Sequence, residues 1–171
     1  MSISFHKYRL IILISLITFF LDQISKYAVI QSLPMGHSWP KTGFFRLTHI
    51  ANTGSAFGLF NNQNLILTVG AFLGIGILIY FYHSSPNPSN WLKVSLGLVL
   101  SGAAGNLVDR LLLGHVTDFI DVGPWYIFNI ADASIVTGMI VLITSKILFE
   151  DQGKNPRSLV RSFAGDEEYE G

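Results

Sequence analysis

Between Leu92 and Leu113 the chain reads LKVSLGLVLSGAAGNLVDRLLL, an apolar run that is long enough to cross a bilayer. Within this run Gly97, Ser101, Gly105 and Asp109 recur at every fourth position. Small residues at this spacing allow membrane helices to approach one another closely. We therefore expect a tightly packed transmembrane helix that carries polar groups, including Asp109, towards its C-terminal end.

Three further stretches are apolar over a comparable length. Together they predict four transmembrane helices, at about Leu10–Ile30, Leu65–Tyr82, Leu92–Leu113 and Ala133–Phe149. Basic residues ahead of the first stretch imitate a secretory signal peptide, but no small-residue cleavage site follows it. We interpret that stretch as a retained helix.

The composition supports the membrane class and excludes several functions. Of the 171 residues, 50% are hydrophobic and only 13% are charged, whereas about a quarter of the residues are charged in soluble domains. The net charge of zero gives no basic surface for nucleic acid. Because the chain has no cysteine, disulfides, thiolate metal sites and a cysteine nucleophile are excluded. The five histidines show no metal-binding spacing, so we expect no metal and no cofactor.

Basic residues set the predicted orientation. They precede the first helix and follow the fourth, at Lys7, Arg9, Lys154, Arg157 and Arg161. An even number of spans puts both termini on one side, which the positive-inside rule identifies as the cytoplasm. The 31–64 and 114–131 connections then lie outside. Within the first of these, Phe44–Ile50 and Ala56–Phe60 favour strands, which predicts a small sheet on the membrane surface.

All five acidic residues ahead of position 150 are aspartates, and this topology brings them to the outer face. Asp22, Asp109 and Asp132 fall near the outer ends of three helices, and Asp118 and Asp121 in the outer loop between the last two. A carboxylate near hydrocarbon is costly unless it has a partner or performs chemistry. The pattern therefore predicts an acid-based site at this face.

Structural roles compete with this interpretation. Asp22 and Lys26 are spaced i,i+4, and Asn106 has the spacing to face Asp109 and Arg110, so these residues could form local pairs. An acid at the start of the fourth helix, Asp132, could cap free N–H groups. Asp118 could be a loop acid that bonds its neighbours.

From the residues alone, three functions stay open. A peptidase would use Asp118 and Asp132, which flank one external loop, as a general base and a general acid. An ion- or proton-coupled carrier would use the aspartates as a relay. A non-catalytic scaffold would use them only to pair with Lys26 and Arg110.

Five collinear motifs over about residues 8–150 resemble those of bacterial lipoprotein signal peptidase, or signal peptidase II. DQISK at Asp22–Lys26 is similar to D-Q-x-x-K, and NTGSAFG at Asn52–Gly58 to N-x-G-x-A-F-G. GAAGNLVDR at Gly102–Arg110 is similar to G-A-x-G-N-x-x-D-R. VTDF at Val116–Phe119 and FNIAD at Phe128–Asp132 resemble V-x-D-F and F-N-x-A-D.

Two departures from the family pattern are mild. Ser101 stands where glycine is common, and Tyr126-Ile127 precede the last motif where proline is common. These departures concern loop and packing detail.

The resemblance implies a membrane-embedded aspartic endopeptidase of the bacterial plasma (inner) membrane. It would remove the signal peptide from diacylglyceryl-modified prolipoproteins, cutting immediately before the lipidated cysteine. It also implies an all-α membrane fold, with four transmembrane helices and a small extracytoplasmic β-cradle. Prolipoproteins and membrane lipid are the implied partners, without nucleic acid and without a cofactor, and we expect a monomer.

The resemblance also implies roles for individual residues. The catalytic pair would be Asp118 and Asp132. The residues that hold the substrate or support the site would be Asp22, Asn52, Asn106, Arg110 and Asn129. We assign residues 1–150 to the four-span peptidase domain, and residues 151–171 to a polar cytoplasmic tail that is expected to be disordered.

Overall fold

The computed structural model describes residues 5–54, 69, 72–73, 75–76, 79–80, 82–84 and 88–145. These residues include three long helices, α1 (Phe5–Ser32), α2 (Asn90–Leu113) and α3 (Ile130–Ser145). They also include three strands, β1 (Ser38–Trp39), β2 (Arg46–Asn52) and β3 (Val116–Asp121). The strands form one antiparallel sheet in the order β1-β2-β3. The described part of the fold is therefore mostly helical, with the predicted small sheet.

The helix bounds follow from local chemistry. Ser89 caps the start of α2 by accepting a hydrogen bond from the Leu92 N–H at 3.2 Å. Gly114 ends α2 in the left-handed conformation, with φ of 76°, and donates its N–H to the Arg110 carbonyl at 3.2 Å. Pro34 stands two residues after the end of α1, and because proline cannot continue a helix, it favours an end at this point.

Glycines let α2 pack closely against both neighbours. A Cβ atom on Gly97 would lie 2.9 Å from the Cβ of Ile14 on α1, and Ser15 donates a hydrogen bond to the Gly97 carbonyl at 3.1 Å. On the other side, a Cβ on Gly138 of α3 would lie 2.6 Å from a methyl group of Val99. Helices α1 and α2 run parallel to each other, whereas α2 and α3 run antiparallel. The predicted small-residue packing of α2 is confirmed.

Two of the described helices are long and apolar enough to cross a membrane, over Tyr8–Ser32 and Asn90–Leu113. The described part of α3 is apolar but shorter. The predicted second span, Leu65–Tyr82, and the end of the fourth, beyond Ser145, lie largely outside the described residues, although the described positions between 69 and 84 are helical. The described chain thus supports two of the four predicted crossings by length and composition.

The surface of α1 is unusually apolar. Leu13, Leu16, Ile17, Phe20 and Ile24 are each at least half exposed. An exposed apolar face of this extent is typical of a surface that contacts lipid or another protein. By contrast, Asp22 and Lys26 on the same helix are buried against α2 and α3.

Several predicted bounds need correction. The helix predicted from Ala133 begins at Ile130, which places Asp132 in its first turn. Asp118 and Asp121 lie on strand β3 and not in a loop, because Val116–Ile120 pairs with β2 on one side and with Phe128 on the other. The second predicted strand, Ala56–Phe60, lies outside the described residues.

Candidate active site

Strand β3 carries Asp118, which is 2% exposed. Its two oxygens accept hydrogen bonds from the Asn52 amide at 2.7 Å and from the Asn129 amide at 2.6 Å. Burial, reinforced by the charge of Asp132, raises the pKa of Asp118 to about 6, although the two amides and Lys26 oppose the rise. Asp118 therefore exchanges a proton nearer to neutral pH than an ordinary aspartate does.

Asp132 occupies the first turn of α3 and forms a reciprocal cap with Asn129. The Asp132 N–H donates to the Asn129 side-chain oxygen at 2.9 Å, and the Asn129 N–H donates to Asp132 Oδ2 at 3.3 Å. Asp132 Oδ1 accepts a further hydrogen bond from the Asn106 amide at 2.7 Å. The predicted capping role is thus real. It leaves the carboxylate within the same network as Asp118.

Two buried asparagines connect the carboxylates. The Asn129 amide nitrogen, which donates to Asp118, also lies 3.1 Å from the Asn106 side-chain oxygen. Asn106 in turn donates to Asp132. Asn129 is fully buried, and so is the neighbouring Thr117. The structure therefore brings Asp118, Asp132, Asn52, Asn106 and Asn129 together, as predicted for the site.

A buried ion cluster lies directly behind these residues. Lys26 Nζ is 2.8 Å from Asp22 and 3.1 Å from Asp109, and it donates to Asn106 at 3.0 Å. Asp22 also accepts the N–H of Ala131 at the start of α3 at 2.8 Å. This bond holds the N-terminus of α3, and with it Asp132, against α1. Asp22 thus contacts both the ion cluster and the start of the helix that carries Asp132.

Asp22 lies further from the end of its helix than Asp109 and Asp132 do from the ends of theirs. Helix α1 continues to Ser32, so Asp22 lies about 15 Å before the helix end at 1.5 Å per residue. It meets the start of α3 well inside the helical bundle. The C-terminal part of α2, the start of α3 and the middle of α1 therefore form the walls of the site.

The predicted local pairs are partly correct. Asp22 and Lys26 form the expected i,i+4 ion pair. The hydrogen bonds of Asn106 reach across to Lys26, Asp132 and Asn129, and none of those described joins it to Asp109 or Arg110. The sequence spacing showed only the intrahelical neighbours of Asn106, whereas its partners come from α1, α3 and the loop that precedes α3.

Arg110 is the unpaired cation of the described site. Its Nε atom is buried without a hydrogen-bond acceptor among the described residues, and none of the ion pairs formed there includes it. It lies within electrostatic range of Asp132, Asp118 and Asp109. The scaffold alternative required the aspartates to pair with Lys26 and Arg110, yet Asp118 and Asp132 form no ion pair in the described chain.

Asp121 is separate from this site and stabilises the sheet. Its carboxylate accepts hydrogen bonds from Thr48 at 2.7 Å and from Arg46 at 2.9 Å. It also accepts the N–H of Gly123 at 3.2 Å. These donors, with that of Thr48 first, lower the pKa of Asp121. Asp121 is therefore a structural acid, three residues along the strand from Asp118.

Comparison with known proteins decides the family. A sequence model described as signal peptidase (SPase) II matches residues 14–148. The chain belongs to the signal peptidase II family. It is accordingly a membrane protease, and its membership supports the cleavage of lipoprotein signal peptides. This result excludes the carrier and scaffold alternatives as the family function.

The relatives cover most of the chain. A lipoprotein signal peptidase of Moorella thermoacetica is 39% identical over 147 residues, which are 85% of this chain and 98% of that protein. A lipoprotein signal peptidase of Nostoc punctiforme is 39% identical over 143 residues, which are 80% of this chain and 89% of that protein. The range matched by the family model, residues 14–148, includes every residue assigned above to the site.

Solved structures agree with this fold. One bacterial membrane enzyme superposes with a TM-score of 0.74 at 30% identity, covering 81% of this chain and 93% of that one. A second has a TM-score of 0.71 at 28% identity and covers 94% of both chains. The helical body with a small sheet is thus shared with membrane enzymes of known structure.

Proposed function

We propose that the chain is an aspartic endopeptidase in which Asp118 and Asp132 form the catalytic dyad. The observation that carries this proposal is the shared network. One asparagine, Asn129, bonds both carboxylates, while neither carboxylate has a counter-ion among the described residues. Two carboxylates in one buried network, neither of them in a direct ion pair within the described chain, cannot both ionise cheaply, so one retains a proton.

The reaction needs only the two acids and water. The ionised carboxylate takes a proton from water as the water oxygen bonds to the peptide carbonyl carbon. The protonated carboxyl donates a hydrogen bond to that carbonyl, and its proton passes to the nitrogen as the carbon–nitrogen bond breaks. Burial raises the pKa of Asp118, so its titration contributes to the alkaline limb at which the dyad loses its shared proton. The titration as a whole belongs to the pair.

The substrate is a diacylglyceryl-modified prolipoprotein, which is cut immediately before its lipidated cysteine. Asn52, which is exposed, and Arg110, which has spare donors, are placed to hold the scissile region beside the dyad. Asn106 and Asn129 orient the carboxylates. The exposed apolar face of α1 supports a site whose substrate keeps its acyl chains in lipid.

Incubation of the pure protein with matched precursors tests this proposal. One precursor carries the diacylglyceryl group and the other retains a free cysteine in the same sequence. We expect cleavage of the lipidated precursor alone, with product masses that place the cut immediately before the cysteine. Equal cleavage of both, or a cut at another bond, would refute the proposed specificity.

We also propose four membrane crossings, with both termini in the cytoplasm and the dyad at the extracytoplasmic face. The basic residues at both ends support this orientation. Because the chain has no cysteine, single cysteines introduced as Lys41→Cys and Arg157→Cys report topology cleanly. In spheroplasts an impermeant maleimide should label the first variant and spare the second. The reverse pattern would invert the proposed topology.

A further inference from the structure

Lys26 reaches from the ion cluster into the catalytic network. Its ammonium group is 3% exposed and contacts three oxygens, one each from Asp22, Asp109 and Asn106, at 2.8, 3.1 and 3.0 Å. An ammonium group has three N–H donors and no acceptor. All three donors therefore have an acceptor, and one acceptor belongs to the amide that binds Asp132.

This contact determines which way the Asn106 amide points. Because Lys26 can only donate, the Asn106 atom that faces it must be the oxygen, and the NH₂ group must then face Asp132. The same oxygen accepts a hydrogen bond from the NH₂ group of Asn129 at 3.1 Å. That orientation turns the Asn129 oxygen towards the Asp132 N–H, at 2.9 Å, and its nitrogen towards Asp118, at 2.6 Å.

We propose that Lys26 is a positioning residue, which fixes the orientation of the Asn106 amide and, through it, that of Asn129, so that both catalytic carboxylates face N–H donors. This inference rests on the proposed dyad and goes beyond it. If Asn106 were reversed, its oxygen would face a carboxylate oxygen of Asp132, and the Asn129 NH₂ group would lose one of its acceptors. A correctly oriented pair of amides holds the carboxylates in place for attack by water.

The charges around Lys26 suggest a simpler alternative. Asp22 on its own helix and Asp109 on α2 contact Lys26 directly, and Asp132 of α3 is linked to it through Asn106. The charge of Lys26 also opposes the rise in the pKa of Asp118 on β3. Arg110 lies in the field of the same acids. Lys26 could therefore serve only to neutralise Asp22 and Asp109.

A charge-matched double variant separates the two roles. Two carboxylates and one ammonium give the cluster a net charge of −1, and Lys26→Met with Asp109→Asn keeps −1 on Asp22 alone. The charge-matched reference is therefore wild type, and Asp109→Asn, which retains the contact between Lys26 and Asn106, controls for the loss of Asp109. In that variant an amide oxygen can still accept the Thr117 N–H that Asp109 accepts at 3.0 Å.

The readouts are kcat, KM and the pH profile of kcat/KM on lipidated precursor, normalised to folded protein. Relative to wild type, the double variant should lose about 10- to 100-fold in kcat beyond any loss seen in Asp109→Asn, the factor that corresponds to one hydrogen bond to a charged group. KM should change little. The alkaline limb should move to higher pH, because Lys26 no longer lowers the pKa of Asp118. Equal kcat would overturn the inference, since a limb that moves alone reflects only the lost charge of Lys26.

A second pair of variants covers failure of the double variant to fold. Lys26→Arg keeps a donor-only group, whereas the amide of Lys26→Gln can present either atom to Asn106. We expect Lys26→Arg to keep most of the wild-type kcat and the wild-type position of the alkaline limb. Lys26→Gln should have a lower kcat and an alkaline limb at higher pH. Equal values in the two variants would contradict the positioning role. Asp118→Asn is assayed alongside, since normal turnover there would refute the dyad itself rather than the role of Lys26.

Discussion

The hydrogen bond from Asn52 to Asp118 makes a quantitative prediction about pH dependence. The Asn52 oxygen accepts the N–H of Gly54 at 2.8 Å, which fixes the amide so that its nitrogen lies 2.7 Å from Asp118. This donor stabilises the carboxylate and lowers the pKa of Asp118, against the burial that raises it to about 6. Asn52→Ala removes the donor and should raise the pKa of Asp118 further.

The size of the effect follows from the exposure of Asn52. A hydrogen bond to a charged group contributes about 1.5–3 kcal/mol. Since Asn52 is exposed, water replaces part of it, and we take roughly 1 kcal/mol. At 1.36 kcal/mol per pH unit, the alkaline limb of kcat/KM should rise by about 0.5–1 pH unit, because the active dyad keeps its single proton to higher pH. Asn52→Asp should shift the limb further in the same direction, since it brings a second carboxylate to Asp118.

The assay measures kcat/KM against pH on lipidated precursor for wild type and both variants. Thr53→Ala is the matched control, because Thr53 is the next residue in the same turn and its side chain makes no hydrogen bond within the described chain. Its pH profile should equal that of wild type. An alkaline limb that stays in place in both Asn52 variants, or moves to lower pH, would refute the assignment of that limb to Asp118.

Three further predictions concern stability and metal dependence. Gly105→Ala would place a Cβ 2.6 Å from Asp22 Oδ2, so it should lower the free energy of unfolding by about 1–3 kcal/mol and reduce Tm. Gly76→Ala is the control, because its Cβ would meet nothing within 4 Å in the described chain and should not reduce Tm. Equal Tm values in the two variants would contradict the close packing. Because the pKa of Asp121 is lowered in the fold, its stabilisation is present above the unfolded value of about 3.9 and lost as pH falls. Asp121→Asn should therefore reduce Tm at pH 7 and flatten its fall on acidification; an unchanged acid slope would count against this. Turnover should persist in chelator, and its loss with recovery on adding one divalent ion would argue for a metal-assisted site.

Much of the site could be predicted from the sequence, because a few polar residues stand out among apolar ones. Asp22, Asn106, Asp118 and Asp132 lie in or beside long hydrophobic runs, where a polar group needs a partner or a role. Alternating helix directions then brought them to one region. The structure joins all four in one network.

The remaining features depend on contacts between segments that are distant in the chain. The sequence of strand β3, VTDFID, shows no regular alternation of apolar and polar residues, so periodicity does not predict a strand there; in the structure nearly all of its residues are buried. The sequence spacing predicts only intrahelical partners for Asn106, whereas its partners in the structure come from α1, α3 and the loop before α3. Gln23, which donates to Asp109 across α1 and α2 at 3.3 Å, had no signal beyond its place in a motif.

The turnover of Asp118→Asn and Asp132→Asn on lipidated precursor tests the two-aspartate mechanism most directly. Asp121→Asn serves as the control, since it neutralises an acid on the same strand whose described hydrogen bonds come from strand β2 and from Gly123, outside the site. Normalised to folded protein, both dyad variants should lose at least about 10²–10⁴-fold in kcat, as expected when general acid–base catalysis is removed, while the control keeps its turnover. Near-normal cleavage by either dyad variant would contradict the mechanism.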